Sequence, residues 1–126
     1  MSKTKVLIVD DEDDLTFLLE SELEAEGFQV QCAGDGDEAI ELIRSKSELG
    51  DKFDVILLDI KMPKVGGFEV LKFVKSEAPE TKVIMVTVYH DLENAIQSMR
   101  LGASDFVSKP YDLNEILTSI NRVLGK

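Results

Sequence analysis

Cysteine occurs once among the 126 residues, at Cys32, so no disulfide can close within the chain. Histidine also occurs once, at His90, so there is no His/Cys ligand set for zinc. Basic side chains are outnumbered: 14 Lys and Arg stand against 25 Asp and Glu, a net charge of −11. A domain this acidic repels phosphate backbones and anionic lipid. Direct binding of nucleic acid or membrane is therefore not expected, and cations are the natural small partners. No apolar run approaches the roughly 20 residues of a membrane span, and the first residues lack the apolar stretch of a signal peptide. These absences predict a soluble, cytoplasmic protein.

The length is enough for one domain, taken as 1–126, and not for two. Apolar residues make up 44% of it, which supplies a core without disulfide or metal staples and argues against disorder.

Five short apolar runs stand at 6–9, 28–32, 55–58, 83–86 and 106–107. Each is followed by a stretch with helical spacing. Leu15, Leu18, Leu19 and Leu23 share one helix face, and Gly27 reads as a stop. Val70, Leu71, Val74 and Ala78 form the next clear face, then Ala95, Ile96 and Met99. Leu113, Ile116, Leu117, Ile120, Val123 and Leu124 form the clearest. The second helix, near 39–44, is less regular and is expected to lead into a polar loop over 45–52.

Five strand–helix pairs predict an α/β fold: a doubly wound, five-stranded parallel sheet with helices on both faces. The first, third and fourth runs are uniformly apolar, as strands buried on both faces should be. The second alternates, with Phe28, Val30 and Cys32 against Gln29 and Gln31, and the fifth is short. Those two read as edges, giving the order 2-1-3-4-5.

Such sheets bind ligands beyond the carboxyl ends of the strands, at the switch point between strands 1 and 3. Strand 1 ends in Asp10 and Asp11, strand 3 in Asp59, strand 4 in Thr87, and strand 5 in Ser108, Lys109 and Pro110. Three carboxylates in one cleft raise their own pKa values or take a cation. Hard oxygen ligands suit Mg²⁺. A carboxylate at a strand end can act as a nucleophile toward phosphorus, with Mg²⁺, Lys109 and Thr87 holding the charge on the oxygens. Each residue also has an ordinary reading. Asp10 and Asp11 could cap a helix, Asp59 could serve the turn before Met62 and Pro63, and Thr87 could be a plain strand residue. Lys109 could be solvated, and Phe106 could be core. Their joint placement at matching strand ends favours the site.

The chain resembles a receiver domain of two-component response regulators, the CheY-like family with its flavodoxin-like fold. The resemblance rests on I-V-D-D-E at 8–12, L-L-D-I-K-M-P at 57–63, V-I-M-V-T at 83–87 and G-A-S-D-F-V-S-K-P at 102–110. These run almost end to end and in order. It implies that Asp59 accepts a phosphoryl group from a phosphohistidine on a sensor kinase or a histidine phosphotransfer protein. It implies Mg²⁺ on Asp11, Asp59 and the Lys61 carbonyl, with Asp10 acting through water. Thr87 and Lys109 would contact phosphoryl oxygens, and the Lys109–Pro110 bond would be cis. Thr87 would then move and Phe106 turn inward, reshaping the face of the fourth helix, fifth strand and fifth helix. There a downstream target, an effector domain or a second copy would bind. Catalysis would extend only to the chain's own phosphorylation and dephosphorylation.

Four positions depart from the family pattern. Val88 stands where Ala or Gly is usual, and its bulk is expected to narrow access to Asp59. Gly66 replaces an Asp, which should loosen the turn into the third helix. Phe106 lacks a tyrosine hydroxyl, leaving any switch to packing. Lys61 places a positive charge two residues past the nucleophile, with weaker Mg²⁺ binding or a more stable acyl phosphate as the expected effect. The stretch from D-L-E-N-A at 91–95 to Y-D-L-N-E at 111–115 most resembles NtrC-class receivers. A stand-alone protein and a piece of a longer one both fit.

Three other readings compete with this one. A haloacid-dehalogenase-type phosphatase needs a second Asp where Lys61 stands. A nucleotide site at Gly34, Gly36 and Ala39 would bring Asp35, Asp37 and Glu38 against a pyrophosphate. A binding-only pseudo-receiver is opposed by the complete acid set, and Val88 leaves it open. His90 reads as a solvated loop residue, and Cys32 as a buried small apolar residue on an edge strand rather than a redox centre.

Overall fold

A computed structural model describes residues 3–62, 65–88 and 92–126. The readings made for Pro63, His90 and Asp91 lie outside them. The order is β1 (Lys5–Val9), α1 (Asp13–Ala25), β2 (Gln29–Ala33), α2 (Gly36–Glu48), β3 (Val55–Asp59), α3 (Gly67–Glu77), β4 (Lys82–Val88), α4 (Leu92–Arg100), β5 (Asp105–Lys109) and α5 (Leu113–Val123). The five strands pair in parallel in the order β2-β1-β3-β4-β5, as expected from their composition. Every residue of β3 is buried, and so is β1 after Lys5. At the β2 edge, Gln29 and Gln31 face solvent while Val30 and Ala33 are buried.

Successive side chains of a strand point to opposite faces, and this splits the core in two. Leu7, Val9, Ile56, Leu58 and Met85 pack with Ala39 and Ile43 of α2 and with Val70, Leu71 and Val74 of α3. Val6, Ile8, Val55, Leu57 and Ile84 pack with Leu19 and Leu23 of α1 and Ile116 and Ile120 of α5.

Three helices differ from expectation. In α1, Leu18 is exposed beside Phe17, and the buried row is Thr16, Leu19 and Leu23. α2 runs on through Ser45 to Glu48. Its polar last turn holds no helix breaker, and Gly50, at φ 73°, ends it. Its start carries a capping box: Asp35 accepts from the Glu38 N–H, and the Glu38 carboxylate accepts from the Gly34 N–H. Those amides are the donors a pyrophosphate would need, so Gly34 and Gly36 serve the turn. In α4 the inward residues are Ala95 and Ser98, while Leu92, Ile96 and Met99 are exposed. The Ser98 hydroxyl donates to the Asn94 carbonyl at 2.7 Å, which permits its burial.

Candidate functional site

The register of the strands steps their ends onto one rim. Val9 pairs with Leu58, which sets Asp10 next to Asp59. Asp59 pairs with Val86, so Thr87 lies one residue beyond it. Thr87 pairs with Ser108 and Val88 with Lys109, so the lysine completes the step. The Asp10 amide donates to the Ala33 carbonyl and the Ile60 amide to the Val86 carbonyl, both at 3.1 Å, so the ladder fixes the backbone at both acids.

Asp10 and Asp59 are buried and Asp11 is exposed. One oxygen from each lies within 4.8 Å of the others, a group able to hold a metal ion. The Lys109 ammonium sits 3.0 Å from Asp10 Oδ2, 2.9 Å from Glu12 Oε1 and 3.4 Å from Asp59 Oδ2. The Lys61 N–H donates to Asp59 Oδ1 at 3.2 Å. The N-cap of α1 is Glu12, with no side-chain cap bond. Asp10 Oδ1 instead accepts from the Glu12 N–H at 2.9 Å. Asp10 thus turns the chain into α1 while its other oxygen faces Lys109.

Burial, first, and the charge of Asp10 push Asp59 up to about 6, against the pull of Lys109 and the Lys61 N–H. Burial works against the Lys109 charge, but Glu12, Asp10 and Asp59 outweigh it and hold the ammonium above its usual range. Much of the crowding of carboxylates is therefore already relieved by the chain's own lysine. Tyr111 is pushed up to about 12, mainly by burial and then by Asp10. Thr87 is buried, and its hydroxyl oxygen has no hydrogen-bond partner among the described residues. A buried hydroxyl without a partner is costly, and here it stands one residue beyond the register partner of Asp59.

Gly67 supports the backbone at Asp59. A Cβ there would lie 2.7 Å from Ile60 Cα and closer still to the Asp59 carbonyl oxygen. The Gly67 N–H donates to the Ile60 carbonyl at 3.0 Å. Gly66 is the N-cap of α3 and makes no side-chain cap bond. Val88 is half-buried and lines an open groove of about 350 Å³ with Glu12, Leu15, Lys109, Pro110 and Tyr111. Its bulk therefore bears on the Lys109 side of the cleft. The Lys109–Pro110 peptide is cis.

Phe106 is exposed on β5, three residues before Lys109. Its neighbour Asp105 ties β5 to α5, accepting from Ser119 Oγ at 2.7 Å and Arg122 Nη1 at 2.6 Å. An open groove of about 410 Å³ lies along this seam, with none of Asp10, Asp11 and Asp59 in its lining. The sequence reading assigned no role to Glu12, Gly67, Asp105, Ser119 or Arg122. Glu12 and Asp105 left a signal there, as letters of the I-V-D-D-E and G-A-S-D-F-V-S-K-P motifs. Cys32 is half-buried rather than buried as expected, because it lies on the edge strand β2; burial and Glu20 push its thiol up to about 12, which fits an unreactive residue.

The model of the response regulator receiver domain family matches residues 6–121. The chain belongs to that family. It is 38% identical over 120 residues to the regulatory protein AtoC of Escherichia coli, covering 95% of this receiver and 25% of AtoC. It is also 38% identical over 122 residues to the transcriptional regulatory protein CpxR of the same species, covering 97% of the receiver and 50% of CpxR. It thus spans a quarter to a half of the length of these relatives. The structure of the chemotaxis protein CheY4 of Vibrio cholerae superposes with a TM-score of 0.86 at 31% identity, covering 97% of this chain and 99% of that one. The likeness to NtrC-class receivers is supported in part, through AtoC. Receivers are signalling modules of two-component systems and not classical enzymes. Receiver domains bind Mg²⁺ through an acidic pocket, and Asp10, Asp11 and Asp59 form such a cluster here. Among the described residues, no helix is long and apolar enough to cross a membrane.

Proposed function

We propose that this receiver is a phosphoacceptor: Asp59 takes a phosphoryl group from a phosphohistidine in a Mg²⁺-dependent step, and the α4–β5–α5 face reports it. One observation carries the reading. The buried Asp59 carboxylate lies 3.4 Å from the Lys109 ammonium, on a rim where the Thr87 hydroxyl is buried with no partner among the described residues. A tetrahedral group on Asp59 would supply acceptors for both donors. The donor set suits Mg²⁺: carboxylate oxygens from Asp11 and Asp59, the Lys61 carbonyl, and Asp10 through a water. The ion supplies charge neutralisation on the transferring group.

An Asp59 oxygen attacks phosphorus, the P–N bond of the donor histidine breaks, and the imidazole leaves with its electron pair and takes up a proton. Lys109 and Thr87 hold the phosphoryl oxygens. Hydrolysis returns the carboxylate and inorganic phosphate. Thr87 shifts toward the phosphoryl group and Phe106 turns inward from its exposed position, changing the face on which Leu92, Ile96 and Met99 are exposed. That face serves a downstream target, an effector domain or a second copy of the chain. The donor is a sensor histidine kinase or a histidine phosphotransfer protein, and the module, one domain over 1–126, works in the cytoplasm.

Incubation with Mg²⁺ and a small acyl phosphate, followed by intact mass, tests this. A single phosphoryl addition is expected, lost in Asp59→Asn and without Mg²⁺. A folded protein that takes up nothing, even as Val88→Ala, would instead be a binding-only receiver.

A further inference from the structure

Three carboxylates share the Lys109 ammonium, and they are not equivalent. Asp10 and Asp59 are buried and belong to the metal-binding group. Glu12 stands outside that group, with its side chain 60% exposed, yet it makes the shortest of the three contacts at 2.9 Å. An ammonium has three donors, so these three acceptors use them all. A phosphoryl group on Asp59 brings new oxygens, and Lys109 must release one partner to meet them. Glu12 is the partner that yields most readily, because an exposed carboxylate returns to water at little cost.

We propose that Glu12 is a positioning residue: its side chain anchors Lys109 on the α1 side of the cleft before phosphorylation and competes with the phosphoryl group for it. The inference rests on the phosphoacceptor reading above. Removing the competitor favours the phosphorylated state. The main chain at Glu12 is held independently, by its N–H to Asp10 Oδ1 and its carbonyl to the Thr16 N–H, so side-chain variants keep the turn.

The test compares the parent with Glu12→Gln and with Asp13→Asn, which removes the same charge one residue on with no bond to Lys109. Phosphoryl addition from a small acyl phosphate is timed by intact mass with Mg²⁺ present. The Lys109 ammonium resonance is recorded by ¹⁵N NMR on the metal-free proteins. Glu12→Gln is expected to gain the phosphoryl group roughly twofold to fivefold faster. It should also shift the Lys109 resonance, while Asp13→Asn does neither. An unchanged rate in Glu12→Gln, an equal gain in Asp13→Asn, or an unmoved resonance each overturns the inference while leaving Asp59 as the acceptor. A protein that takes up no phosphoryl group, even as Val88→Ala, instead removes the phosphoacceptor reading, and this inference with it.

Discussion

The strand-end rim and the α4–β5–α5 face break the usual rule of burial in opposite directions. At the rim, polar groups are inside: Asp10, Asp59 and Thr87 are buried around the Lys109 ammonium. On the other face, apolar groups are outside: Leu92, Ile96 and Met99 form one exposed stripe of α4, beside exposed Phe106. The rim is costly without a ligand, because carboxylates and an orphan hydroxyl are held away from water. The face is costly without a partner. A molecule with both features gains by coupling them, since filling the first can change what the second offers.

Lys109→Ala is the most damaging way to break this contrast. It leaves Asp10 and Asp59 buried without their cation, and a loss of about 3 kcal/mol in denaturant unfolding is expected. Mg²⁺ should restore more stability to this variant than to the parent. Gly67→Ala forces a methyl against the backbone of Asp59 and Ile60. It should cost about 1–3 kcal/mol by the same measurement.

Asp59→Asn acts in the other direction. Because burial raises the Asp59 carboxyl from 3.8 to about 6, the stability it contributes is full below pH 3.8 and is lost as pH rises through about 6. In chelator, the melting midpoint of the parent should fall across that window relative to Asp59→Asn. The variant should melt about a few degrees higher at pH 7. Equal pH profiles would show that burial does not penalise this carboxylate. The smallest effect belongs to the apolar face. Ile96→Ser and Met99→Ser should stay within about 0.5 kcal/mol of the parent, because neither side chain is buried.

The same contrast separates what was legible in the sequence from what was not. Asp10, Asp11, Asp59, Thr87 and Lys109 were legible because each follows an apolar run, and strand composition marked the sheet's edges, from which the common doubly wound order followed. The β2 and β5 edges followed from alternation and shortness. The orientation of α4 was not legible, because periodicity marks an apolar stripe without saying whether core or partner covers it. Ser98 faces inward since its hydroxyl bonds its own helix, while Ile96 faces out. The last turn of α2 was hidden because polar composition does not distinguish an exposed helical turn from a loop. Glu12 and Lys109 meet across 97 positions, and Gly67 meets Asp59 only in the folded chain, so no local pattern records either contact.

Methyl and aromatic NMR of Ile96, Met99 and Phe106, before and after phosphorylation by a small acyl phosphate with Mg²⁺, tests the coupling most directly. The account predicts that all three signals move in the parent, together with a single phosphoryl addition by mass, and stay fixed in Asp59→Asn. Addition at Asp59 with all three signals unmoved would contradict it, leaving the rim and the face as two independent features of one surface.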